Sequence, residues 1–273
     1  MTYKLLALDM DGTLLTSRKD VSSRTRDALM ALAARGVPIA FCTGRCFKEL
    51  MDWPCELPFI RYGVLASGAV EYDFANKTTL EIDSLDTATI LKVMQIASAE
   101  APMMHVLGIH DSVARPDDVR EMERFGMGVY KSMYEKICTY ADDLEAWART
   151  HEGEVVKVNF YHVDSQSRDR TRERLTRAHL PITLANAEEG SVECSAKGVS
   201  KAQGLGVLAA HLGIGLDEVV AVGDSDNDLA ALSAVGMPVA MGNATDTIKG
   251  IAKLVVASND DDGIAEVVDR LFS

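Results

Sequence analysis

Two acidic segments carry residue types that could bind a metal ion and act on a phosphoryl group. Residues 9–13 read Asp-Met-Asp-Gly-Thr and directly follow the apolar run Lys4 to Leu8. Residues 223–228 read Gly-Asp-Ser-Asp-Asn-Asp and follow the apolar run Glu218 to Val222. Taken alone, the first segment is equally typical of an acidic turn, because Asp-Gly often marks turns. Three carboxylates within residues 224–228 are harder to explain by turn formation alone.

The carboxylates of these segments indicate a divalent metal site. If the two segments converge, each pair of unit charges about 4 Å apart costs on the order of 4 kcal/mol at an effective dielectric near 20. Oxygen ligands without His or Cys suit Mg2+, which keeps waters and binds substrate phosphates. We therefore expect Mg2+ among the following residues: Asp9, Asp11, Asp224 and Asp228.

Two further segments could hold an anion. Thr43, Gly44 and Arg45 follow the short apolar run Val37 to Cys42, and a hydroxyl there could face a phosphate. The alternative for Thr43 is an ordinary helix cap. Lys201 begins a predicted helix, where an ammonium opposes the helix dipole unless an anionic site compensates it. The alternative for Lys201 is a solvated side chain.

The elements around these segments predict an α/β fold with a parallel sheet. The chain begins with a predicted strand, Lys4 to Leu8. A helix follows, capped by Ser22 or Ser23 and ended by Gly36, and then a second strand, Val37 to Cys42. Strand–helix–strand units of this spacing are typical of a Rossmann-like parallel-sheet core with helices on both faces. The pattern returns after residue 199, with strands at 218–222, 238–241 and 254–256 and helices between them.

The middle of the chain has a different texture, with polar helices and strands of alternating polarity such as Glu154 to His162. We interpret residues 85–189 as a second α/β unit inserted into a core formed by 1–84 and 190–273. The arginines of this stretch, at 168, 170, 172, 174 and 177, could form a phosphate patch, but their acidic neighbours and helical spacing favour a solvated helix face.

Composition limits the partners. The 273 residues are 47% hydrophobic and 25% charged, as in a folded globular protein, and the net charge is -13. Such a surface repels nucleic acids and anionic membranes, so neither is an expected partner. We expect a cytoplasmic protein, since the N-terminus has no apolar signal region and no run approaches the roughly 18 apolar residues of a membrane span.

The five scattered cysteines favour reduced thiols over a disulfide framework. Cys42, Cys46 and Cys55 could be considered as zinc ligands, but their spacing fits no usual zinc pattern and no fourth ligand presents itself.

Together, these segments resemble the haloacid dehalogenase superfamily of phosphohydrolases. Residues 9–13 match the first motif of that superfamily, Thr43 the second, Lys201 the third and residues 223–228 the fourth. The resemblance covers nearly the whole chain. It implies a Mg2+-dependent phosphatase that acts on a small phosphorylated metabolite, such as a sugar phosphate or phosphorylated cofactor, through an aspartyl-phosphate.

Three more segments, 195–203, 239–244 and 259–263, are similar to the Cof-type subfamily, which has a large α/β cap inserted after the second motif. Two positions depart from the family pattern. Ser67 stands where many relatives carry Asn, and Cys194 stands where an aliphatic residue is usual.

The resemblance also implies residue roles. Asp9 would be the nucleophile and Asp11 the general acid and base. Mg2+ would be held by Asp9, by the backbone carbonyl of Asp11 and by Asp224, with Asp228 orienting the waters on the metal. The substrate phosphate would bind to the following residues: Thr43, Gly44, Lys201 and Asn227.

Two other functions fit the same residues. A phosphomutase would use the same intermediate but return the phosphoryl group to a sugar hydroxyl, and a non-catalytic module would only bind a small molecule. Cap loops, including His110 and Asn186, are candidates for substrate selection. The physiological substrate and the oligomeric state are left open by the sequence.

Overall fold

The computed structural model describes residues 3–50, 52–186 and 189–272. These residues form two compact units. The first unit comprises 3–44, 52–81 and 200–272, and the second comprises 45–50, 82–186 and 189–199. The second unit thus includes 45–50, 82–84 and 190–199, which the sequence had not assigned to the cap. The expected domain boundaries at 84/85 and 189/190 stay a prediction.

The secondary structure gives each strand and helix a label in chain order. The strands are β1 (Leu5–Leu8), β2 (Ile39–Cys42), β3 (Tyr62–Leu65), β4 (Val70–Asp73), β5 (Thr78–Ile82), β6 (Met103–Gly108), β7 (Ser112–Ala114), β8 (Thr139–Tyr140), β9 (Val155–Tyr161), β10 (Ile182–Ala185), β11 (Ser191–Ala196), β12 (Val219–Gly223), β13 (Met237–Ala240) and β14 (Leu254–Val255). The α-helices are α1 (Ser23–Ala34), α2 (Trp53–Glu56), α3 (Thr87–Ala97), α4 (Pro116–Arg120), α5 (Lys131–Ile137), α6 (Leu144–Thr150), α7 (Ser165–Arg177), α8 (Lys201–Leu212), α9 (Leu229–Ala234), α10 (Asp246–Ile251) and α11 (Gly263–Leu271). Short 3-10 helices span Lys48–Leu50, Ser98–Glu100, Met122–Phe125, Gly128–Tyr130, Leu216–Glu218 and Asp226–Asp228.

The first unit is built on a sheet of order β14-β13-β12-β1-β2-β3-β4-β5. Pairing is parallel from β14 to β3, and β4 then turns back antiparallel to β3. All residues of β1, β2, β3 and β12 are buried, as expected for continuous apolar strands covered on both sides. The predicted fold class, a parallel-sheet core with an inserted α/β segment, is confirmed.

Local signals in the sequence begin and end the helices of the first unit. The side chain of Ser22 accepts a hydrogen bond from the Thr25 N–H at the start of α1. Ser200 caps α8 in the same way through the Gln203 N–H, and Gly213 ends α8 in the left-handed conformation. Such caps satisfy backbone donors and acceptors that the first and last helical turns leave free. As a result, α8 starts at a fixed residue, which is Lys201.

The second unit has its own sheet, of order β10-β11-β9-β6-β7-β8. The predicted strand at 154–162 corresponds to β9, which pairs antiparallel with both β6 and β11. Apolar residues on one face of this sheet, such as Val106, Phe160 and Val192, form a core with residues of α3, α6 and α7. The period of two along the strands puts polar residues on the other face.

Within the described part of the chain, no helix combines the length and the apolar character that crossing a membrane requires.

Candidate active site

The two acidic segments lie side by side at the carboxyl ends of β1 and β12. In the parallel pairing, Leu8 lies opposite Val222, and the Asp9 N–H donates to the Val222 carbonyl at 3.1 Å. Ligand sites in open α/β sheets form at this edge of the sheet. The two acidic loops, more than 200 residues apart in the chain, therefore begin side by side at the same edge of the sheet.

Lys201 is the centre of the hydrogen bonds at this point. Its Nζ donates to Asp9 Oδ1 at 2.7 Å and to Asp228 Oδ1 at 2.6 Å, and it lies 3.4 Å from Asn227 Oδ1. Asp9, Lys201 and Asp228 are at most 5% exposed. The structure thus brings together four residues from three separate motifs, and Lys201 is not the solvated side chain of the alternative interpretation.

The carboxylates of Asp9, Asp224 and Asp228 fit a divalent cation. One oxygen from each lies within 4.8 Å of the others. Three carboxylates and one ammonium leave a net charge of -2 when all are ionised, which a divalent ion would balance. The donor set is all oxygen, as Mg2+ prefers. The carboxylate cluster contains Asp228 and does not contain the side chain of Asp11. The sequence implied that Asp11 would bind the metal only through its backbone carbonyl.

The protonation equilibria reflect this crowding. Burial raises the pKa of Asp9 well above its usual range, and the negative charges of Asp228 and Asp224 add to this effect while Lys201 opposes it. Burial and the neighbouring Asp228 raise the pKa of Asp224 to about 6. Burial acts to lower the pKa of Lys201, but Asp228 and Asp9 outweigh burial and raise it. A cation at this point would relieve the repulsion among the carboxylates.

Asp228 also holds its own loop in shape. Its Oδ2 accepts hydrogen bonds from the backbone N–H groups of Asp224 at 3.0 Å and Ser225 at 3.2 Å. Its Oδ1 meanwhile accepts from Lys201. One carboxylate therefore fixes both the backbone of the acidic loop and the ammonium that reaches Asp9.

Gly12 allows the two acidic loops to pack closely. Its φ of +83° lies in the left-handed region, and a Cβ at this position would lie 2.4 Å from Asp224 Oδ2. The next residue, Thr13, donates from Oγ1 to Asp224 Oδ1 at 3.0 Å. The chain therefore does turn at Asp11-Gly12, and this turn lets the first acidic loop contact the Asp224 carboxylate.

The side chain of Asp11 lies outside the carboxylate cluster. Its Oδ1 accepts a hydrogen bond from the Nζ of Lys19 at 2.6 Å, in an ion pair that is partly exposed. Sequence reasoning did not identify Lys19 as part of the site. Its position eight residues after Asp11 gave no periodic signal, because the intervening chain is a loop rather than a helix.

Thr43 and Gly44 follow β2, the neighbour of β1. Thr43 is 2% exposed, its N–H donates to the Val64 carbonyl, and its carbonyl accepts from the Ser67 N–H at 3.0 Å. The next residue in that loop, Gly68, has a φ of +94°, and a Cβ there would lie 2.1 Å from the Ser200 carbonyl oxygen. The loop after β3 thus packs against both the Thr43 backbone and the residue before Lys201.

Two asparagines brace the first acidic loop. Asn243 Nδ2 donates to the Gly12 carbonyl at 2.8 Å, and Asn259 Nδ2 donates to the Leu15 carbonyl at 2.8 Å. The Asn259 N–H also donates to Asn243 Oδ1 at 3.1 Å. The segments 239–244 and 259–263 had been noted only for their similarity to the Cof-type subfamily, and the structure gives them this bracing contact.

In the second unit, the two side chains proposed for substrate selection have structural partners. The His110 ring packs edge-on against the Phe47 ring at 5.2 Å, and Asn186 Oδ1 accepts from Arg172 at 2.8 Å. Sequence reasoning missed a buried polar row across β6, β9 and β11, where His105, Asn159 and Glu193 stand in register.

The polar row is continued by an ion pair. Lys157 Nζ lies 3.2 Å from Glu193 Oε2, and both side chains are buried. The Nδ2 of Asn159 donates to the Tyr161 hydroxyl, and no donor reaches its buried Oδ1 from the described residues. The signal in the sequence was the alternation along 154–162, which places Lys157, Asn159 and Tyr161 on one face.

The zinc alternative finds no support in the described residues. Cys42 and Cys46 are buried in different units, Cys55 is exposed, and all three are free thiols. The carboxylate cluster contains no cysteine.

The fold and the site define an α/β enzyme whose carboxylates and buried lysine gather at the carboxyl ends of the central strands. A family model described as haloacid dehalogenase-like hydrolase matches residues 6–268, and the chain belongs to this family. The resemblance stated from the motifs is therefore confirmed.

Several relatives match over the full chain. The phosphatase YwpJ of Bacillus subtilis is 29% identical, with 98% of this chain and 100% of the relative covered. A 5-amino-6-(5-phospho-D-ribitylamino)uracil phosphatase of the same organism, YcsE, is 27% identical over 97% and 94%. A solved haloacid dehalogenase-like hydrolase from B. subtilis is 28% identical, with a TM-score of 0.87 over 98% and 99%. The prediction of a phosphatase is confirmed at the level of the family and the names of these relatives.

Proposed function

We propose that the chain is a Mg2+-dependent phosphomonoester hydrolase that forms an aspartyl-phosphate on Asp9. One observation carries this proposal. The Nζ of Lys201 donates hydrogen bonds to Asp9 at 2.7 Å and to Asp228 at 2.6 Å, and the Asp224 carboxylate lies beside them. A nucleophilic carboxylate, a buried cation and further carboxylates for a metal are what phosphoryl transfer to a side chain requires.

Mg2+ would be held by Asp9, the Asp11 carbonyl and Asp224, with Asp228 beside it. When bound, the ion supplies positive charge that offsets the charge of the phosphoryl group and of the carboxylates. The cluster net charge of -2 and the all-oxygen donor set support this assignment. An oxygen of Asp228 lies within 4.8 Å of oxygens of Asp9 and Asp224, and the hydrogen bonds that Asp228 accepts from the Asp224 N–H and the Ser225 N–H suit a role in orienting the waters on the metal.

The reaction would proceed in two displacements. In the first, a carboxylate oxygen of Asp9 bonds to phosphorus, the ester P–O bond breaks, and Asp11 gives a proton to the departing alkoxide. In the second, Asp11 takes a proton from water, the water oxygen bonds to phosphorus, and the bond to Asp9 breaks. The balance is one phosphate ester and one water consumed, with one alcohol and one phosphate released.

The ion pair between Asp11 and Lys19 has a consequence for the first displacement. Asp11 must carry a proton when the leaving oxygen departs, and the Lys19 ammonium at 2.6 Å stabilises the ionised carboxylate instead. We therefore propose that this pair opens when the substrate binds. Both side chains are partly exposed, so opening the pair costs little, as for surface ion pairs in general.

Thr43, Gly44, Lys201 and Asn227 would hold the phosphoryl oxygens. Thr43 and Gly44 follow a strand adjacent to β1, and Lys201 already lies within hydrogen-bond distance of the nucleophile. Fixed donors aimed at the phosphoryl oxygens stabilise charge that increases in the transition state. The Asn227 side chain would accept from Lys201 and donate from its amide nitrogen to the phosphate.

We further propose that the substrate is a small phosphorylated metabolite and that the second unit selects its leaving group. One relative, YcsE, is named for a phosphorylated ribitylamino-pyrimidine, a polar metabolite of this size. The buried polar groups on the sheet of the second unit are candidates for selection in addition to His110 and Asn186. These groups include Lys157, Asn159 and Glu193.

We propose a cytoplasmic location as well, supported by the five cysteines, which are all free thiols. The net charge of -13 favours small metabolites over nucleic acids as partners.

The test is phosphate release from p-nitrophenyl phosphate and from a panel of phosphorylated metabolites, each with Mg2+. Asp9→Asn should lower kcat by at least about 1,000-fold, because no other group can replace the nucleophile. Asp27→Asn, an exposed aspartate on α1, is the matched control and should leave kcat unchanged. Hydrolysis retained in Asp9→Asn would refute the proposal, and an isomerised sugar phosphate without free phosphate would indicate the mutase instead.

A further inference from the structure

The arginine series of α7 is not uniform. Four of the five arginines lie within salt-bridge distance of a carboxylate, namely Arg168, Arg170, Arg174 and Arg177. Arg172 makes no ion pair with any described residue. It is half-buried, and its Nη1 donates to Asn186 Oδ1 at 2.8 Å. The interpretation of a solvated helix face therefore fits the exposed members Arg170, Arg174 and Arg177, and it leaves Arg172 unexplained.

Arg172 lines a groove between α7 and β10. The groove has a volume of about 460 Å³, which lies within the range of small-molecule sites. Its floor is apolar and consists of Leu175, Leu180, Ile182 and Leu184. These side chains belong to the margin of the apolar core beneath α7, and all except Leu175 are only partly buried. The groove therefore exposes core surface.

The ionisable groups that line the groove are basic. Besides Arg172 they are His179 and Lys197, and no acidic side chain is among the described residues that line the groove. Arg172 contacts Asn186 just after β10, while the Lys197 N–H donates to the Pro181 carbonyl just before β10. Since a four-residue strand is roughly 13 Å long, cationic groups stand at both ends of an apolar floor. The sign of this lining is opposite to that of the whole chain, whose net charge is -13.

His179 lies just beyond the last turn of α7 with a φ of +50°. Glycine is the usual residue in this left-handed position after a helix, because other residues carry a steric penalty there. His179 therefore occupies a position where the backbone favours glycine, and it lines the groove. This conformation also provides a variant that removes the side chain without straining the fold.

We propose that this groove binds a small organic anion with a hydrocarbon or aromatic body. The apolar floor would bury the body, Arg172 at one end of the floor would donate to the anionic group, and His179 and Lys197 would add polar and positively charged groups to the lining. The site lies wholly within the second unit and is separate from the carboxylate cluster, whose negative charge would repel such a ligand in the absence of a metal. The proposal does not depend on the phosphatase reaction.

The test uses naphthalene-1-sulfonate as the anionic probe and naphthalene-1-sulfonamide as its neutral analogue, each titrated by calorimetry in chelator. The sulfonate should bind to the wild-type chain at least about tenfold more tightly than the sulfonamide, the ratio expected from one charge-assisted contact. Arg172→Gln should weaken sulfonate binding by about tenfold, and Lys197→Gln, at the other end of the floor, should weaken it by a smaller factor. His179→Gly should weaken binding as well, with a melting temperature equal to or above that of the wild type.

Two controls locate the binding. Arg177→Gln changes an arginine of the same helix that pairs with Glu173 outside the groove, and it should leave the affinity unchanged. Lys92→Met removes an exposed lysine of α3 that does not line the groove, and it should leave sulfonate affinity unchanged as well. Equal affinity for the sulfonate and the sulfonamide, or equal sulfonate affinity in the wild type and the three groove variants, would overturn the proposal, as would no detectable binding.

Discussion

The buried lysine at the centre of the carboxylate cluster gives the sharpest prediction about stability and metal binding. Lys201 is 2% exposed, and its Nζ lies 2.7 Å from Asp9 and 2.6 Å from Asp228. Lys201→Met keeps a long side chain but removes the ammonium, so two buried carboxylates lose their cation. Removing one partner of a buried ion pair costs about 3–5 kcal/mol. We expect a loss of this size in the free energy of unfolding, measured in chelator.

The same substitution should strengthen Mg2+ binding while it weakens catalysis. The cluster charge changes from -2 to -3 when Lys201 is lost, and one unit charge about 4 Å away is worth on the order of 4 kcal/mol at a dielectric near 20. Proton uptake by the carboxyls will offset much of this gain in Mg2+ binding free energy. We therefore expect Mg2+ to bind at least about tenfold more tightly to Lys201→Met than to the wild type. The kcat should fall by about 100-fold or more, because a donor to the phosphoryl group is missing.

The assay is denaturant unfolding followed by circular dichroism, with and without Mg2+. A ligand that binds only the folded state adds RT ln(1 + [L]/Kd), about 2.7 kcal/mol at 100 times Kd. Mg2+ should therefore raise the free energy of unfolding more in Lys201→Met than in the wild type. Lys92→Met, at an exposed position of α3, is the matched control and should change stability by less than about 0.5 kcal/mol. Weaker Mg2+ binding in Lys201→Met would refute the assignment of the cluster as the metal site.

Three further predictions follow from single residues. Gly12→Ala and Gly36→Ala both place a side chain at a left-handed φ, so each should lose about 1–2 kcal/mol of unfolding free energy. Only Gly12→Ala should also lower phosphatase activity, by about tenfold or more, because its Cβ would meet Asp224. Gly36→Ala is the control, since nothing lies within 4 Å of a Cβ at that position. Equal activity of the two variants would contradict this prediction. Burial lowers the pKa of His105 from 6.5 to about 3, so the unfolded state binds the extra proton and stability should fall as pH drops below 6.5, by about 2 kcal/mol at pH 5. His105→Gln should show a shallower pH dependence in urea unfolding, and an unchanged slope would argue against a neutral buried imidazole. Ser67→Asn should raise the melting temperature slightly, because Asn tolerates the φ of +65° better than Ser, and a lower melting temperature would count against this reading.

The positions of the central motifs were predictable because strand ends in a parallel sheet share one edge. The apolar runs before Asp9 and Asp224 are continuous rather than alternating, which is typical of strands buried on both faces. β1 and β12 pair in parallel, so the two acidic loops had to meet. The sequence also indicated the start of α8 through Ser200, and this places Lys201 at the carboxylates.

Other features depend on pairings that no local pattern records. The turn from β3 back into β4 contains Ser67 and Gly68, and this short loop did not reveal that β4 pairs antiparallel with β3. Residues 45–50 group with the second unit although they directly follow Thr43 and Gly44, and their tertiary contacts decide this. Lys19 and Asn243 reach the first acidic loop from segments without regular periodicity. Long-range contacts of this kind are set by the whole fold.

The measurement that tests the central claim most directly is chemical trapping of the phosphorylated enzyme. Acid quenching during turnover of p-nitrophenyl phosphate with Mg2+, followed by proteolysis and mass spectrometry, should show one phosphoryl group on the carboxylate of Asp9, released by hydroxylamine. An Asp11→Asn variant should accumulate more of this species, because breakdown of the acyl phosphate needs the base whereas p-nitrophenolate departs without protonation. A phosphoryl group found on another residue, or hydrolysis at full rate without any acyl phosphate on Asp9, would contradict the account.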